Sequence, residues 1–231
     1  MVSGDQGECG VPDDRAALYR QAEHYFRRGG ATEPNVVLLR QGGQPMVLKD
    51  YGAADGAFAR WLGPLLIRRE AQALQRLQAI PGIPRLIQRV DRRALLMAYV
   101  DARPWSRQRP AAESYDLLDE LVAAMHARGV AHCDLRAPSN ILVDDEGRPY
   151  LVDFVARVHR GAPWNLIWNA VFAAFCRADR NALAKLKVRY APALASARER
   201  RAARHSHPVD RGFRALGAAI RKLTRHFVNR P

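Results

Sequence analysis

Short apolar runs separated by turn residues fill the first hundred positions, and this pattern predicts a β-rich region. Two strands are predicted over 35–40 and 45–51, because both runs are rich in β-forming residues and a turn with two glycines, Gly42 and Gly43, joins them. Two further strands are predicted over 85–90 and 94–100.

Helical spacing of apolar residues predicts most of the other elements. A short helix is predicted over Arg15–Phe26, a longer one over Pro64–Ala79 and a third over Ala111–Arg128. The chain from Gly161 onward also has a helical pattern, with breaks at Pro192 and Pro208. Four aromatic residues at helical spacing in that region are predicted to be core residues: Trp164, Trp168, Phe172 and Phe175.

The predicted order indicates an α+β fold with a small β-rich lobe followed by a mostly helical lobe. We expect an N-terminal leader and short helix over 1–26, the β-rich lobe over 27–100 and the helical lobe with a basic tail over 101–231. The length of 231 residues suits such a two-lobed domain.

Composition excludes several classes of protein. A hydrophobic content of 48% and a charged content of 26% are typical of a globular chain and exclude wholesale disorder. No apolar run approaches the ~20 residues of a membrane span, and Met1–Arg20 lacks a signal-peptide pattern, so we expect a cytoplasmic protein. The three cysteines, Cys9, Cys133 and Cys176, form no CxxC pair and predict neither a disulfide framework nor a zinc site.

The formal net charge is +14, and the C-terminal region is especially basic. From Arg198 to Pro231 there are ten Lys or Arg residues and two acids. Such a surface can meet an anionic membrane, a nucleic acid or an acidic substrate, and composition alone does not choose among them. The last predicted helix, with Phe213, Ile220 and Phe227 on one face, suits either packing onto the lobe or lying on an anionic leaflet.

A cluster of polar residues between positions 129 and 154 is a candidate for a catalytic and metal-binding site. Asp134 follows a predicted helix, Asn140 starts a predicted strand, and Asp153 ends the hairpin partner of that strand. Hairpin pairing is expected to make Asn140 and Asp153 neighbours, and their oxygen ligands suit Mg²⁺. Asp134 beside them could orient a hydroxyl group and accept its proton.

These residues resemble the motifs of the protein kinase-like superfamily. His132-Cys133-Asp134, Asn140, Asp153-Phe154 and the strand Val47-Leu48-Lys49 have the same chain order as the kinase motifs, over about residues 27 to 160. The chain looks closest to small bacterial lipopolysaccharide-core (Kdo/heptose) kinase-like proteins and to RIO-like kinases. The resemblance implies a two-lobed kinase fold with ATP and Mg²⁺ as cofactors.

The same resemblance implies roles for individual residues. Lys49 would hold the ATP phosphates, and Glu70 would pair with Lys49. Asp134 would be the catalytic base, and Arg136 would neutralise the transferring phosphoryl group. The Mg²⁺ ligands would be Asn140 and Asp153.

Two weaker assignments rest on position. Gly29 and Gly30 are a partial substitute for a glycine-rich loop over the phosphates, since no G-x-G-x-x-G precedes the strand lysine. Ala98 and Val100 would form the hinge that offers backbone groups to adenine.

Three further departures from the kinase pattern modify these expectations. The interval from Asp134 to Asn140 is one residue longer than usual, so either a residue is looped out or Ser139 and Asn140 share a role. Cys133 replaces an arginine that receives an activating phosphate, which argues against that form of control; the thiol is predicted to be buried filler rather than a reactive group. Val155 replaces a glycine after Asp153-Phe154 and predicts a site locked in one state.

The sequence therefore predicts a kinase that transfers the γ-phosphoryl group of ATP to a hydroxyl, with a lipopolysaccharide-core sugar as the preferred acceptor. A RIO-like serine/threonine protein kinase and a non-catalytic nucleotide-binding pseudokinase remain alternatives. Contact with an anionic membrane through the basic C-terminal helices is the expected additional interaction, and a nucleic-acid partner is less favoured.

Overall fold

A computed structural model describes residues 14–30, 32–52 and 57–204, which divide into two compact units. The described part of the first unit runs to Ile67 and includes Ile87–Tyr99, and the second comprises Arg68–Leu86 and the described chain from Val100 onward. The first unit is rich in strands and the second is mostly helical, so the predicted α+β class is confirmed.

A five-stranded sheet, in the order β1-β2-β3-β5-β4, forms the framework of the first unit. Its strands are β1 Ala22–Arg27, β2 Asn35–Gln41, β3 Gln44–Asp50, β4 Leu86–Arg89 and β5 Ala94–Ala98. The β2–β3 hairpin turns at Gly42 and Gly43, which both have positive φ, as the sequence predicts. In the described chain, three helices accompany the sheet or follow it: α1 Arg15–Arg20, α2 Ala57–Trp61 and α3 Gly63–Leu77.

The helix predicted over Arg15–Phe26 is wrong beyond Arg20. Residues Ala22–Arg27 instead form β1, which pairs antiparallel with β2. Pairing with β1 supplies hydrogen-bond partners to backbone N–H and C=O groups of β2 that would otherwise lie at an open edge of the sheet. These non-local hydrogen bonds outweigh the local preference of the segment for a helix. Phe26 on β1 stacks on Tyr99, with ring centroids 6.2 Å apart.

The core of the first unit includes a side chain of α1. Leu18 is fully buried in a cluster with alternate residues of β2 and with residues of β3 and β5: Val37, Leu39, Leu48, Ala94 and Leu96. Buried Asp50 ties the same helix to β3, because it accepts a hydrogen bond from the Tyr19 hydroxyl at 2.8 Å and lies 3.3 Å from Arg15 Nε. Helix α1 is therefore an integral part of this unit.

The second unit contains the part of α3 from Arg68 onward and, in the described chain, three further α-helices with two small sheets. These helices are α4 Ala112–Ala127, α5 Leu166–Tyr190 and α6 Ala197–Arg204. One sheet has the order β6-β8-β9 and the other pairs β10 with β7. Their strands are β6 Arg103–Pro104, β7 Val130–Ala131, β8 Ile141–Val143, β9 Pro149–Leu151 and β10 Val158–His159. The predicted break at Pro192 is confirmed, whereas Pro208 and the basic chain beyond Arg204 lie outside the described residues.

The prediction that four aromatic residues of the α5 region are core residues is wrong for two of them. Phe172 is buried and Phe175 is half-buried against the same cluster, but Trp164 and Trp168 are exposed. Trp164 precedes the helix, whose N-cap is Asn165, and its position in the preceding turn does not follow helical spacing. None of the described helices is both long and apolar enough to cross a bilayer.

Replacement of Leu18 by alanine is expected to lower the free energy of unfolding by about 2–5 kcal/mol, because it leaves a cavity in a closed core. Denaturant titration followed by circular dichroism measures this change. The matched control is Arg20→Ala on the same short helix, where the side chain is largely solvent-exposed and a change within about 0.5 kcal/mol is expected. Equal effects of the two substitutions would contradict the anchoring of α1 in the core.

Candidate active site

The β8–β9 hairpin brings Asn140 and Asp153 to the same end of the small sheet. Ile141 pairs with Leu151, and the next backbone hydrogen bond runs from Val152 N–H to the Asn140 carbonyl oxygen at 3.0 Å. Asp153 follows Val152 directly, so the two residues expected to be neighbours are neighbours along this hairpin.

Asn140 also joins the hairpin to the loop that carries Asp134. Its side-chain amide donates to the backbone oxygen and to Oδ2 of Asp134, at 3.1 Å each. The amide oxygen of Asn140 accepts a hydrogen bond from the Ser139 hydroxyl at 3.5 Å and has a second lone pair for another partner.

The extra residue between Asp134 and Asn140 is absorbed by two consecutive turns. Ala137 N–H donates to the Asp134 carbonyl at 3.4 Å, and Asn140 N–H donates to the Ala137 carbonyl at 2.9 Å. Asn140 is buried and contacts Asp134, whereas Ser139 is exposed. This geometry favours a looped-out residue over a role shared between Ser139 and Asn140.

The pKa of Asp134 is raised above its ordinary value. Partial burial is the main cause, and the negative charge of Asp153 adds to it. His132, the hydrogen bond from Asn140 and the positive charge of Arg136 act in the opposite direction. A carboxylate with a raised pKa is a stronger proton acceptor, which suits the predicted role of Asp134 as a general base.

His132 connects the Asp134 loop with the Asp153 segment. Its Nε2 lies 3.0 Å from the Val152 carbonyl oxygen, and Asp134 N–H donates to its Nδ1 at 3.3 Å, a network that fits the tautomer with hydrogen on Nε2. The ring also packs against Phe154, with centroids 4.8 Å apart. The loop and the segment after β9 are thus held against each other by one buried imidazole.

Two residues of this site have left-handed backbone conformations that favour glycine. Cys133 has φ of 70° and Asp153 has φ of 67°, and no other non-glycine residue in the described ranges has positive φ. Such conformations cost about 1–3 kcal/mol each and persist only where surrounding contacts hold them.

Asp179 of α5 provides such contacts at Cys133, and the sequence analysis missed it. Its buried carboxylate accepts hydrogen bonds from the backbone N–H groups of His132 at 2.7 Å and Cys133 at 2.8 Å. Nε2 of buried His126 lies 3.0 Å from the same carboxylate. Asp179 is the only acid in α5, and a lone acid among apolar residues was the available signal.

The Cys133 thiol is a poor nucleophile in this setting. Burial raises its pKa well above the ordinary value, and the nearby Asp179 charge adds to the effect. The thiol therefore stays protonated at neutral pH, which agrees with the prediction of an unreactive thiol, although the residue is half-buried and not fully buried.

The segment after Asp153 is tied to α3 by two arginines. Arg69 donates to the Val155 carbonyl at 3.0 Å and also to the Arg157 carbonyl. Arg157 in turn donates from Nε to the Arg69 carbonyl at 2.5 Å and from Nη2 to the Gln72 side-chain oxygen at 2.9 Å. We call this reciprocal arrangement the Arg69–Arg157 clamp; the prediction that Val155 fixes the site in one state stays a prediction.

The remaining candidates lie in different places. Lys49 is a buried residue of β3, paired with Val36 and Leu95 across its neighbouring strands. Glu70 is a buried residue of α3 and belongs to the second unit, so the Lys49–Glu70 pair stays a prediction. Ala98 ends β5, and the chain passes from the first unit to the second between Tyr99 and Val100.

The two candidate glycines occupy the connection between β1 and β2. A Cβ atom on Gly29 would come within 2.5–2.8 Å of the backbone of residues 33–35, and its N–H donates to the Asn35 side chain at 2.6 Å. A Cβ atom on Gly30 would meet nothing within 4 Å. The turn therefore requires glycine only at the first of the two positions.

The oxygen donors at the hairpin end fit a hard divalent cation. The Asn140 amide oxygen and the Asp153 carboxylate are ligands of the type that Mg²⁺ takes, together with phosphate oxygens. Within residues 14–30, 32–52 and 57–204 no group of three or more His, Cys, Asp or Glu residues could hold a metal ion. Two protein oxygen donors of this kind leave room for water and phosphate oxygens around such a cation.

Comparisons with known proteins identify a family match and a similar curated protein. Residues 59–167 match the RIO domain model. The chain is 30% identical to a probable SapB synthase of Streptomyces coelicolor over 247 aligned positions, which cover 87% of this chain and 25% of that protein. The chain thus spans about a quarter of the length of this curated relative.

Two solved structures from Chaetomium thermophilum have the same fold. The Rio2 kinase matches with a TM-score of 0.56 and 19% identity, covering 76% of this chain and 60% of the other. The Rio2 kinase–ADP/Mg²⁺–phosphoaspartate complex matches with a TM-score of 0.58 and 19% identity, covering 84% and 61%. The chain spans about three fifths of each of these proteins.

The family match lies over the residues that build the Asp134 and Asp153 loops, and the structural matches extend through most of the chain. Slightly less than half of the chain therefore matches the RIO domain, and the chain shares its fold with the two Rio2 kinase structures.

Proposed function

We propose that the protein is a kinase that transfers the γ-phosphoryl group of ATP to a hydroxyl acceptor, with Mg²⁺ as the required metal. The observation that carries this proposal is the contact between Asp134 and Asn140 at the hairpin end where Asp153 lies. A general base with a raised pKa stands there beside hard oxygen donors, which is the combination that phosphoryl transfer to a hydroxyl requires.

Asp134 orients the acceptor hydroxyl and takes up its proton as the new phosphate ester forms. Arg136, whose charge reaches Asp134, stabilises the negative charge of the transferring group. Asn140 and Asp153 would hold Mg²⁺. When bound, the ion would screen the charge of the nucleotide phosphates.

The other assigned residues would bind the nucleotide. Lys49 holds the phosphates as a buried point charge, and Glu70 keeps the lysine aimed at them. The Gly29–Gly30 turn lies between β1 and β2 and covers the phosphates, while backbone groups from Ala98 to Val100 receive adenine. ADP and Mg²⁺ in the complex of the Rio2 relative support ATP and Mg²⁺ as the cofactors.

The preferred acceptor is a sugar hydroxyl of a lipopolysaccharide-core glycolipid, and a protein serine or threonine hydroxyl is the alternative. The basic composition supports an acceptor embedded in an anionic surface, since the net charge is +14. The RIO domain match and the Rio2 likeness support a protein acceptor.

A membrane-borne acceptor would place the enzyme at the inner face of the cytoplasmic membrane, with the basic C-terminal helices against anionic lipid. Helix α6, with Arg198, Arg200, Arg201 and Arg204, is the described part of this basic region. RNA could attract the same charges, so binding to RNA at matched ionic strength is the comparison that separates the two partners.

A pseudokinase is the competing function, because the glycine-rich loop is incomplete and Val155 replaces a glycine. Nucleotide binding without turnover is its distinguishing property. Thermal shift with ATP and Mg²⁺ detects binding for either function, and release or transfer of the γ-phosphate occurs only with the enzyme.

Acceptor choice is tested by incubating the protein with γ-labelled ATP and Mg²⁺, in parallel with lipopolysaccharide-core fragments and with a generic protein substrate. We expect label on the core fragment and at least about tenfold less on the protein, which corresponds to about 1.4 kcal/mol of discrimination. The opposite preference would favour the protein kinase alternative. Absence of label on both acceptors would favour the pseudokinase, which binds nucleotide without transferring phosphate.

Replacement of Asp134 by asparagine is expected to lower kcat by about 10²- to 10⁴-fold, because the amide cannot accept the proton of the hydroxyl. Steady-state turnover of ATP with the labelled acceptor measures the loss. The control is Asp145→Asn in the exposed turn of the same hairpin, where kcat should be unchanged. Full activity of the Asp134→Asn protein would refute the proposed role.

The pH profile of kcat gives a second readout of Asp134. Its pKa is raised in the folded protein, and only the deprotonated form accepts a proton. Activity is therefore expected to decline on acidification, starting at a pH above the ordinary titration range of aspartate. Arg136→Gln removes a charge that lowers the pKa of Asp134, so this variant should begin to lose activity at a still higher pH.

Replacement of Asp179 by asparagine is expected to lower both stability and kcat. The amide NH₂ group would face backbone N–H donors of His132 or Cys133, and an unmatched buried donor costs about 1–3 kcal/mol. His126→Phe is the control, since it removes only the third donor and retains both backbone hydrogen bonds. The His126→Phe variant should have a changed free energy of unfolding, measured by denaturant titration. Its kcat should stay near the wild-type value at a temperature where both variants are folded.

A further inference from the structure

An exposed apolar surface at the start of α5 has no role in the site described above. Trp164 and Ile167 are each 83% exposed and Leu166 is 75% exposed. Trp168 and Val171 beside them are also solvent-exposed. We call these five residues the α5 apolar patch. Solvent-exposed large apolar side chains are common singly, but a contiguous group of this kind marks an interaction surface.

The patch is held in place by specific hydrogen bonds. Asn165 caps α5 by accepting from Trp168 N–H at 3.0 Å, and the Trp168 indole N–H donates to the His159 carbonyl at 2.9 Å. Asn169 accepts from Gly161 N–H at 3.0 Å and donates to the Ala162 carbonyl at 2.9 Å. The exposed side chains therefore project from an ordered turn, and ordering them on binding costs little entropy.

The turns of α5 that follow the patch already have their partners. Phe172 and Cys176 are buried in a cluster with Ala131, and Asp179 holds the backbone of His132 and Cys133. The patch is thus the uncovered first turn of a helix whose later turns support the catalytic loop, and burial of the patch would not require α5 to leave its position.

The charges that flank the patch are all positive. No charged residue occurs from Gly161 to Cys176, and no acid occurs between Asp153 and Asp179. Exposed Arg160 precedes the patch, and exposed Arg177 and Arg180 follow it on α5. Tryptophan and aliphatic side chains bordered by arginine are the composition that favours the headgroup region of an anionic bilayer.

We propose that the α5 apolar patch is a docking surface for an anionic phospholipid membrane, with Trp164, Leu166 and Ile167 entering the interface and the flanking arginines meeting lipid phosphates. Two copies of this chain joined through their patches would bring the like-charged arginines together, which disfavours a second copy as the occupant. The patch residues are different from those of the basic chain after Arg204, and the proposal does not depend on phosphoryl transfer.

The test is flotation of the full chain with vesicles of equal parts phosphatidylcholine and phosphatidylglycerol, compared with vesicles of phosphatidylcholine alone. We expect binding to the anionic vesicles, a blue shift of tryptophan emission and weaker binding as salt is added. The double variant Trp164→Ser with Ile167→Ser should bind at least about tenfold more weakly, since each buried side chain contributes roughly a tenfold factor or more.

Two matched variants complete the experiment. Trp61→Ser removes a tryptophan that is 76% exposed on α2 of the first unit, and it should float like wild type. Trp164→Phe keeps an apolar ring, so it should retain binding while losing much of the emission shift. Nucleotide binding, followed by thermal shift with ATP and Mg²⁺, should be unchanged in the double variant and confirms that it is folded.

Several results would overturn the proposal. Wild-type protein that floats with neither kind of vesicle would exclude it, and so would a double variant that floats as well as wild type, which would assign binding to the basic C-terminal region. A dimer in sedimentation that the double variant dissociates, without any change in flotation, would identify a second copy as the occupant.

Discussion

The buried carboxylate of Asp179 is the interaction on which the candidate site depends. It accepts hydrogen bonds from two successive backbone N–H groups and thereby keeps Cys133 in a left-handed conformation. That conformation sets the direction in which the chain leaves His132, and hence where Asp134 meets Asn140. A negative charge in the interior is costly unless several donors surround it, so the carboxylate and the loop stabilise each other.

Local sequence patterns predict which residues meet at the hairpin end of the site. They do not predict Asp179, the residue that holds the loop before Asp134. The pairing of β8 with β9 is a short-range event, and it makes Asn140 and Asp153 predictable neighbours. Asp179 lies 47 positions from His132 and 46 from Cys133, so no local pattern joins them. A lone acid in an apolar helix signals a buried partner but does not identify it.

The errors in the fold prediction have the same origin. Residues Ala22–Arg27 form a strand because they pair with the edge of β2. The sequence of the segment alone does not contain this information. Trp164 and Trp168 carry the spacing of core residues, yet the Asn165 cap begins the helix after Trp164 and directs the first turn to solvent. Periodicity identified the helix correctly, but only tertiary packing decides which of its turns are covered.

The Arg69–Arg157 clamp has a consequence for small molecules that bind at the candidate site. Glu70 follows Arg69 on α3, so the helix segment that carries it is joined to the Phe154–Arg157 segment through four hydrogen bonds. A compound that requires either segment to swing outward must break those bonds and leave buried Arg157 without acceptors. Compounds that fit the existing arrangement are therefore favoured over those that require a displaced helix.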